Sequence, residues 1–257
     1  MTGLSHWLNL IRFKAYADLK SESTKTYVGI FWWVLDPLLY MTVMYVVFAV
    51  LLEKRTPDFV AFLLVGLVYF RWFSATVGNC AFSILGGKAL MQQVYLPKII
   101  FPVVVILINL IKFLIILSLL LVFLWLQGHR ASSAYLALPA LMMIQFVMVC
   151  GTSFIVAGLV PLLPDLKHIV DNIVLALLFL SGIFYSGRDL PLDKQQLLYL
   201  NPMARLIEGY RDILIDGRTP DAAFFVYPAL VAIVLLLIGT TIVVALNRQY
   251  PMLVRKV

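Results

Sequence analysis

Six long apolar runs constrain the fold of this chain more than any other sequence feature. A helix needs about 20 mostly apolar residues to cross the hydrocarbon core of a bilayer, and each run has about that length or more. Apolar residues make up 63% of the 257 residues and charged residues 13%, whereas soluble domains have about 45–50% and about 25%. A water-soluble fold could not bury this surplus. We therefore predict an all-α integral membrane protein, one transmembrane domain over residues 1–257, with spans at 31–52, 59–82, 99–126, 136–160, 166–185 and 222–246.

The fifth run is the weakest of the six, because Asp171 and Asn172 lie inside it. The two cysteines, Cys80 and Cys150, both lie in apolar stretches, which favours small core residues over a disulfide framework. The net charge of +7 could suggest nucleic acid in a soluble chain. Here the basic residues flank apolar runs, so we attribute them to membrane topology and expect no nucleic-acid partner.

The basic residues also indicate an orientation, because cytoplasmic loops carry an excess of Lys and Arg. With six spans both termini lie on one side, and we predict that this side is cytoplasmic. The segments then placed inside carry Arg12, Lys14, Lys20, Lys25, Lys88, Lys98, Lys167, Arg248, Arg255 and Lys256. The two short outer loops carry only Lys54, Arg55 and Arg130. Residues 186–221 mix five basic with six acidic residues, and the rule is weaker for longer loops.

An amphipathic pattern precedes the first span. Apolar residues recur at helical spacing at Leu4, Trp7, Leu8, Ile11, Ala15 and Leu19. A basic amphipathic helix with Trp on its apolar face is typical of the membrane interface. We favour a cytoplasmic interface helix within residues 1–26, since the chain offers no soluble core to receive it. The alternative is an ordinary helix packed on other parts of the protein.

Residues 186–221 are predicted to form short external helices rather than a span. Asn201 is suited to an N-cap and Pro202 to the first helical position. An apolar stripe follows, and Glu208 and Arg211 are three residues apart, close enough to pair. We favour a structured, gate-like element that is re-entrant or lies flat at the outer surface, with Asn201, Glu208, Tyr210 and Arg211 as its key residues. The alternative is a simple surface loop.

The sequence contains no pattern that predicts catalysis. Gly86-Gly87-Lys88-Ala89 lacks the hydroxyl and the upstream glycine of a phosphate-binding loop. The three histidines, His6, His129 and His168, fall in separate loops or ends, which predicts no metal site. There is no G-x-S-x-G motif and no matched carboxylate pair. We therefore expect neither an enzyme nor a cofactor bound by this chain.

Three charged residues inside the spans are candidates for a substrate pathway, since charge in hydrocarbon is expensive and often functional. They are Asp36, Arg71 and Lys112. The structural alternative is an interhelical ion pair, for instance Asp36 with Arg71 or Lys112, or snorkelling to the interface.

An aromatic cluster surrounds one of these charges, at Tyr69, Phe70, Arg71, Trp72 and Phe73. It lies too deep in the second span for an interfacial belt. Because aromatic faces stack on the apolar faces of sugars, the cluster is a candidate lining for a glycan pathway.

Five stretches carry a combined pattern of motifs. They are residues 27–37 (YVGIFWWVLDP), residues 88–102 (KALMQQVYLPKIIFP), Pro164-Asp165-Leu166, Ser181-Gly182-Ile183-Phe184-Tyr185, and Asn201-Pro202 followed by Glu208, Tyr210 and Arg211. In this order the sequence resembles, nearly end to end, the membrane subunit of ATP-binding-cassette exporters of the polysaccharide type, which export O-antigen, capsule and teichoic acid chains. It departs from the family at Pro164, where an Arg is usual, and at Gly182, where a Pro is usual.

The resemblance implies a permease that forms a homodimer in the bacterial inner membrane and recruits two copies of a separate ATPase subunit, which binds ATP and Mg. The substrate it implies is a lipid-linked polysaccharide. By the same resemblance, the interface helix and a cytoplasmic coupling segment at residues 84–98 contact the ATPase. The coupling candidates are Lys14, Lys88, Gln92, Gln93 and Lys98.

Three other functions are alternatives for this sequence. A related permease for a drug, a lipid or a small oligosaccharide would share the six-span plan. An ion or solute channel that needs no ATPase is compatible with the charged spans. An intramembrane lipid or sugar transferase would require an acid–base or metal constellation, which the sequence lacks.

Overall fold

The computed structural model describes residues 4–24, 58–93, 96–250 and 252–253, together with a few positions between 31 and 47. Helices and turns account for these residues, and the described part contains no β-strand. The predicted all-α class is therefore confirmed for this part of the chain. Most of the predicted first span, including Asp36, lies outside the described residues.

Ten α-helices occur in the described residues. They are α1 (Leu4–Thr24), α2 (Phe59–Cys80), α3 (Ser83–Gly86), α4 (Lys88–Gln93), α5 (Ile100–Leu126), α6 (Leu138–Leu159), α7 (Leu166–Leu180), α8 (Leu192–Leu198), α9 (Pro202–Leu214) and α10 (Ala222–Ala245). Short 3-10 helices lie at Ser133–Ala137 and Gly187–Asp189.

Among the described residues, four helical segments are long and apolar enough to cross a membrane. They are α2, α5, Ser133–Leu159 (the 3-10 helix continued by α6) and α10, with 22, 27, 27 and 24 residues. At 1.5 Å per residue they measure about 33 to 40 Å, which exceeds the hydrocarbon thickness of about 30 Å. They occupy the second, third, fourth and sixth predicted spans.

Helix α7 is shorter than the span predicted at residues 166–185. It has 15 residues and measures about 22 Å. The Ser181 hydroxyl donates to the Leu177 carbonyl (2.6 Å), and Gly182 has φ +65°, a left-handed conformation typical of glycine at helix ends. The chain therefore leaves the helix five residues before the predicted boundary. None of the α7 side chains is buried.

Helix α2 lies at the centre of the bundle and is the most buried of the long helices. Its side chains pack with those of α5, α6 and α9 in one large cluster.

Helices α6 and α10 make the closest helix contact. A Cβ atom on Gly151 of α6 would lie 2.4 Å from the Leu236 nitrogen, and one on Gly239 of α10 would lie 2.5 Å from the Gly151 carbonyl oxygen. The two backbones therefore touch, a packing that small residues permit within membranes.

Helix α1 packs along the first half of α5. Ala15 is buried in a cluster with Ile100, Val104 and Ile108, which recur every four residues and therefore share one face of α5. Further along both helices, Glu22 contacts Lys112. The contacts follow the same order in α1 and α5, so the two helices run in the same direction. The structure therefore shows α1 packed on another helix of the protein, which is the alternative given for the amphipathic pattern. The position of α1 at a membrane interface stays a prediction.

The connections of α2 lie at opposite ends of the bundle. Near its start, Phe62 and Gly66 contact Arg211 of α9. At its end, Cys80 packs with Ile84, Phe101 and Tyr250. Helices α8 and α9 therefore lie at one end, and α3 and α4 lie at the other, beside the end of α10.

Candidate functional site

Residues 186–221, here called the cap segment, are held to α7 by Asn201. Its side-chain oxygen accepts a hydrogen bond from the Met203 backbone N–H (3.0 Å), as expected of an N-cap. Its side-chain nitrogen donates to the Leu180 carbonyl (3.1 Å) and to the Ser181 hydroxyl (2.8 Å). One residue thus caps α9 and joins it to the end of α7.

Arg211 joins α9 to the core of the bundle. It is buried and donates to three backbone carbonyls, those of Phe62 (3.2 Å), Gly182 (2.8 Å) and Ile183 (2.9 Å). Its guanidinium carbon lies 3.3 Å from the centroid of the Phe62 ring, a cation–π contact. Gly66 makes room for it, since a Cβ there would lie 2.9 Å from the guanidinium.

Glu208 and Arg188 connect the rest of the cap segment. Buried Glu208 accepts from the Ser186 hydroxyl (3.2 Å) and lies 3.3 Å from Arg188. Arg188 also pairs with Asp212 (2.5 Å) and Asp216 (3.5 Å). The acceptors lie four residues apart on one face of α9 and its continuation. Arg188 therefore holds the 3-10 helix Gly187–Asp189 against α9.

Burial and hydrogen bonding shift the pKa values of the groups in this network. It raises the pKa of the Glu208 carboxyl above its ordinary value and lowers the pKa of Arg211 to about 10. The Arg211 guanidinium therefore remains protonated at neutral pH. Hydrogen bonding to Asp212 raises the pKa of Arg188. The arrangement binds the cap segment together and fixes it to α2 and to the turn after α7.

Tyr210, the fourth residue singled out in the cap segment, stacks on Tyr69 of α2. The ring centroids are 3.5 Å apart and the planes differ by 6°. Both side chains are fully buried, and neither hydroxyl has a hydrogen-bond partner among the described residues.

The aromatic cluster of α2 is packed in the core of the described chain. Phe70, Trp72 and Phe73 are buried like Tyr69, and Arg71 is half-buried. Trp72 stacks on Phe113 of α5, with centroids 4.1 Å apart. A role of these side chains in contacting a glycan stays a prediction.

Lys112 pairs with Glu22 of α1, with 2.5 Å between the ammonium nitrogen and the carboxylate oxygen. It lies twelve residues into α5, or about 18 Å from the helix start. A charge at the centre of a membrane helix costs about 2.5–3.5 kcal/mol on insertion scales, which accounts for a carboxylate partner. The interhelical ion pair expected as the structural alternative is therefore observed, with Glu22 as the partner.

The coupling candidates differ in their accessibility. Lys88, Gln92 and Gln93 on α4 are exposed. Lys98 is buried, and its backbone N–H donates to the Asn247 side chain (3.0 Å) at the end of α10. Lys14 pairs with Asp18 on the same helix (3.0 Å). Among the coupling candidates, those on α4 are therefore the most exposed, and their contact with a partner stays a prediction.

Sequence reasoning missed three residues, Glu22, Arg188 and Asn79. The side-chain amide of Asn79 donates to Asn109 (3.1 Å). Glu22 could have been found, because it lies three residues after Leu19 and so continues the apolar stripe of α1 toward any charge in the neighbouring span. No local pattern distinguishes Arg188 from the other basic residues of the cap segment.

Comparison with known proteins identifies related membrane proteins. Residues 23–215 match the family model described as ABC-2 type transporter. The chain is 30% identical over 227 residues to the O-antigen export system permease protein RfbA of Myxococcus xanthus, covering 88% of this chain and 87% of the relative. It is 24% identical to the protein of that name from Klebsiella pneumoniae, over 83% of each chain. It is 21% identical to the polysialic acid transport protein KpsM of Escherichia coli, over 86% of this chain and 87% of the relative.

Proposed function

The chain belongs to the ABC-2 type transporter family, and from this premise we propose that it is the permease subunit of an ATP-driven exporter. Its substrate is a lipid-linked polysaccharide of the O-antigen type, which it moves across the bacterial inner membrane. The observation that carries this proposal is the 30% identity to an O-antigen export permease over nearly the full length of both chains. Two more distant relatives support the proposal, because one is named as an O-antigen export permease and the other as a polysialic acid transport protein.

The proposed architecture has six spans with both termini in the cytoplasm. The sequence supplies the first span at residues 31–52, and α7 with the turn that follows it forms the fifth. The cap segment and α4 lie at opposite ends of α2. This supports an external position for residues 186–221, where α8 and α9 form re-entrant or surface helices. The basic residues near α4 and at the start of α7 support a cytoplasmic position for the other end.

A second copy of this chain and a separate ATPase subunit complete the proposed exporter. A second copy of the chain forms a homodimer, and two copies of a separate ATPase subunit bind ATP and Mg. The sequence of the permease lacks a phosphate-binding loop, which supports a separate ATPase. Helix α7, with no buried side chain, offers an apolar face for the second copy.

The first experiment is an affinity purification from native membranes in mild detergent, followed by mass spectrometry and an ATPase assay. We expect an ATPase subunit in an amount equal to the permease, and ATP hydrolysis by the complex. Deleting the permease from its host should leave finished polysaccharide on the cytoplasmic side of the membrane. A preparation free of ATPase that conducts ions after reconstitution would indicate a channel instead. Export of a drug or lipid with no effect on polysaccharide would indicate the related permease.

A second experiment tests the proposed contact with the ATPase at α4. Replacing Gln92 and Gln93 with Arg places two charges on the exposed side of this helix, where they should disturb a docked partner. We expect ATP hydrolysis to continue in the membrane while polysaccharide export falls by about tenfold or more.

The matched control for that substitution is Gln196→Arg on α8, an exposed glutamine at the opposite end of the bundle. It adds a charge of the same kind and should leave export per ATP unchanged. Equal effects of the two substitutions, or none from either, would show that α4 does not couple the subunits.

A further inference from the structure

The ion pair between Glu22 and Lys112 joins α1 to the middle of a spanning helix. Lys112 lies near the midpoint of α5, and its ammonium nitrogen is 2.5 Å from the Glu22 carboxylate. Lys112 is partly covered and Glu22 is exposed, with relative side-chain exposures of 20% and 47%. Within a spanning helix, a lysine separates from its carboxylate partner only at a cost, because hydrocarbon provides no alternative solvation.

An apolar contact aligns the two helices below this ion pair. Ala15 is buried against the face of α5 that carries Ile100, Val104 and Ile108. Lys112 follows Ile108 by four residues and therefore continues the same face. Helix α1 is thus attached to α5 at two levels, by packing near the start of α5 and by charge near its midpoint.

Polar side chains extend this attachment to α2. Asn109, three residues before Lys112, accepts a hydrogen bond from the Asn79 amide (3.1 Å) and donates to the Val105 carbonyl (2.9 Å). Asn79 lies in the last turn of α2, the turn that leads through α3 to the exposed face of α4. The ion pair therefore lies beside a contact between the two helices that border the connection at residues 83–98.

We propose that Glu22 and Lys112 are positioning residues for transport, which force α5 to move with α1 when the ATPase subunit acts on the cytoplasmic end of the permease. This inference rests on the function proposed above. Packing at Ala15 alone would let the two helices slide or tilt, because apolar contacts are non-directional. The ion pair fixes their register at the depth where a pathway must open.

The test uses the complete exporter, permease with its ATPase, and measures polysaccharide exported per ATP hydrolysed. Reversing one charge, by Glu22→Lys or Lys112→Glu, leaves two like charges facing each other. We expect export per ATP to fall at least about fivefold, the lower end of typical coupling between sites. The reciprocal exchange, Glu22→Lys with Lys112→Glu, restores the pair and should bring export per ATP back to within about twofold of wild type.

A second variant distinguishes a defect in transport from a failure of the complex to assemble. Glu22→Met with Lys112→Met removes both charges and keeps apolar volume, a replacement that proteins often tolerate without loss of stability. We expect this variant to assemble in normal amounts and hydrolyse ATP, but to export less polysaccharide per ATP. A merely structural ion pair would lower the amount of complex and leave this ratio unchanged.

The matched control is Lys194→Glu, which reverses an exposed charge on α8 at the opposite end of the bundle. It should leave export per ATP at the wild-type value. Wild-type ratios in both the Met variant and the single reversals would overturn the inference while the proposed function stands. A wild-type complex that hydrolyses ATP but exports no polysaccharide would overturn the proposed function, and the inference with it.

Discussion

At the scale of single residues, the stacked pair of Tyr69 and Tyr210 combines close packing with unpaired polar groups. The rings lie face to face, an arrangement less favourable than an offset or edge contact, and neither hydroxyl has a partner within the described chain. An unpaired buried hydroxyl costs about 1–3 kcal/mol. We predict that Tyr69→Phe, which keeps the ring and removes the hydroxyl, raises the free energy of unfolding by about 1 kcal/mol, measured by thermal or denaturant unfolding in detergent.

Tyr250 provides the matched control, because its hydroxyl donates to the Gly158 carbonyl (3.2 Å). Tyr250→Phe removes that hydrogen bond and should lower stability by about 0.5–1.5 kcal/mol. Opposite signs for the two substitutions are the expected result. A loss of stability in both would mean that the Tyr69 hydroxyl is satisfied in the folded protein.

Residue-scale sequence reasoning found individual residues better than it found their partners. Asn201 was identified because an N-cap and Pro202 form a local pattern, and the observed hydrogen bond to Met203 confirms the cap. The predicted pair of Arg211 and Glu208 is confirmed at 3.7 Å, but the closer contacts of Arg211 are three backbone carbonyls from α2 and from the turn after α7. Backbone acceptors have no sequence identity, so only the fold reveals them.

At the scale of elements, the contact between α6 and α10 depends on two glycines. The Cβ of Gly151→Ala would lie 2.4 Å from the Leu236 nitrogen, so the helices must move apart. Overpacking of this kind costs about 1–3 kcal/mol. We predict a loss of stability in that range, seen as a lower unfolding midpoint and a smaller yield of monodisperse protein.

Gly86→Ala is the control for this substitution, because a Cβ on Gly86 meets no atom within 4 Å in the described chain. It should change stability by no more than about 1 kcal/mol, in the direction set by the higher helix propensity of Ala. Comparable losses in both variants would contradict a backbone contact between α6 and α10.

Sequence periodicity and length predict the elements well where polar residues interrupt apolar runs. The helices α2, α5 and α10 begin within a residue of the predicted spans. The end of α7 was not predicted, because the run continues in apolar residues beyond Gly182. A left-handed turn in an apolar segment produces no change in hydrophobicity, so hydropathy does not mark its position.

At the scale of the whole molecule, the described helices form a bundle with chemically different ends. One end carries the cap segment, where Arg188 and Arg211 are compensated by carboxylates and carbonyls. The other end carries α4, with exposed Lys88, Gln92 and Gln93. Helix α2 contacts these two groups of elements at its opposite ends and separates them by about 33 Å, the length of a 22-residue helix.

This separation predicts the labelling of single cysteines from opposite sides of the membrane. In a background with Cys80→Ala and Cys150→Ala, Asp193→Cys on α8 should react with a membrane-impermeant maleimide in intact spheroplasts. Gln92→Cys on α4 should react only after the membrane is opened, because the basic residues near α4 favour a cytoplasmic position for this end of the bundle. Both positions are exposed in the described chain, so in the permease expressed without its ATPase the accessibility to the reagent depends on the side of the membrane alone. Labelling of both cysteines from outside would contradict a bundle that crosses the bilayer. The reverse pattern would invert the orientation of the bundle and place the ATPase partner on the cap segment.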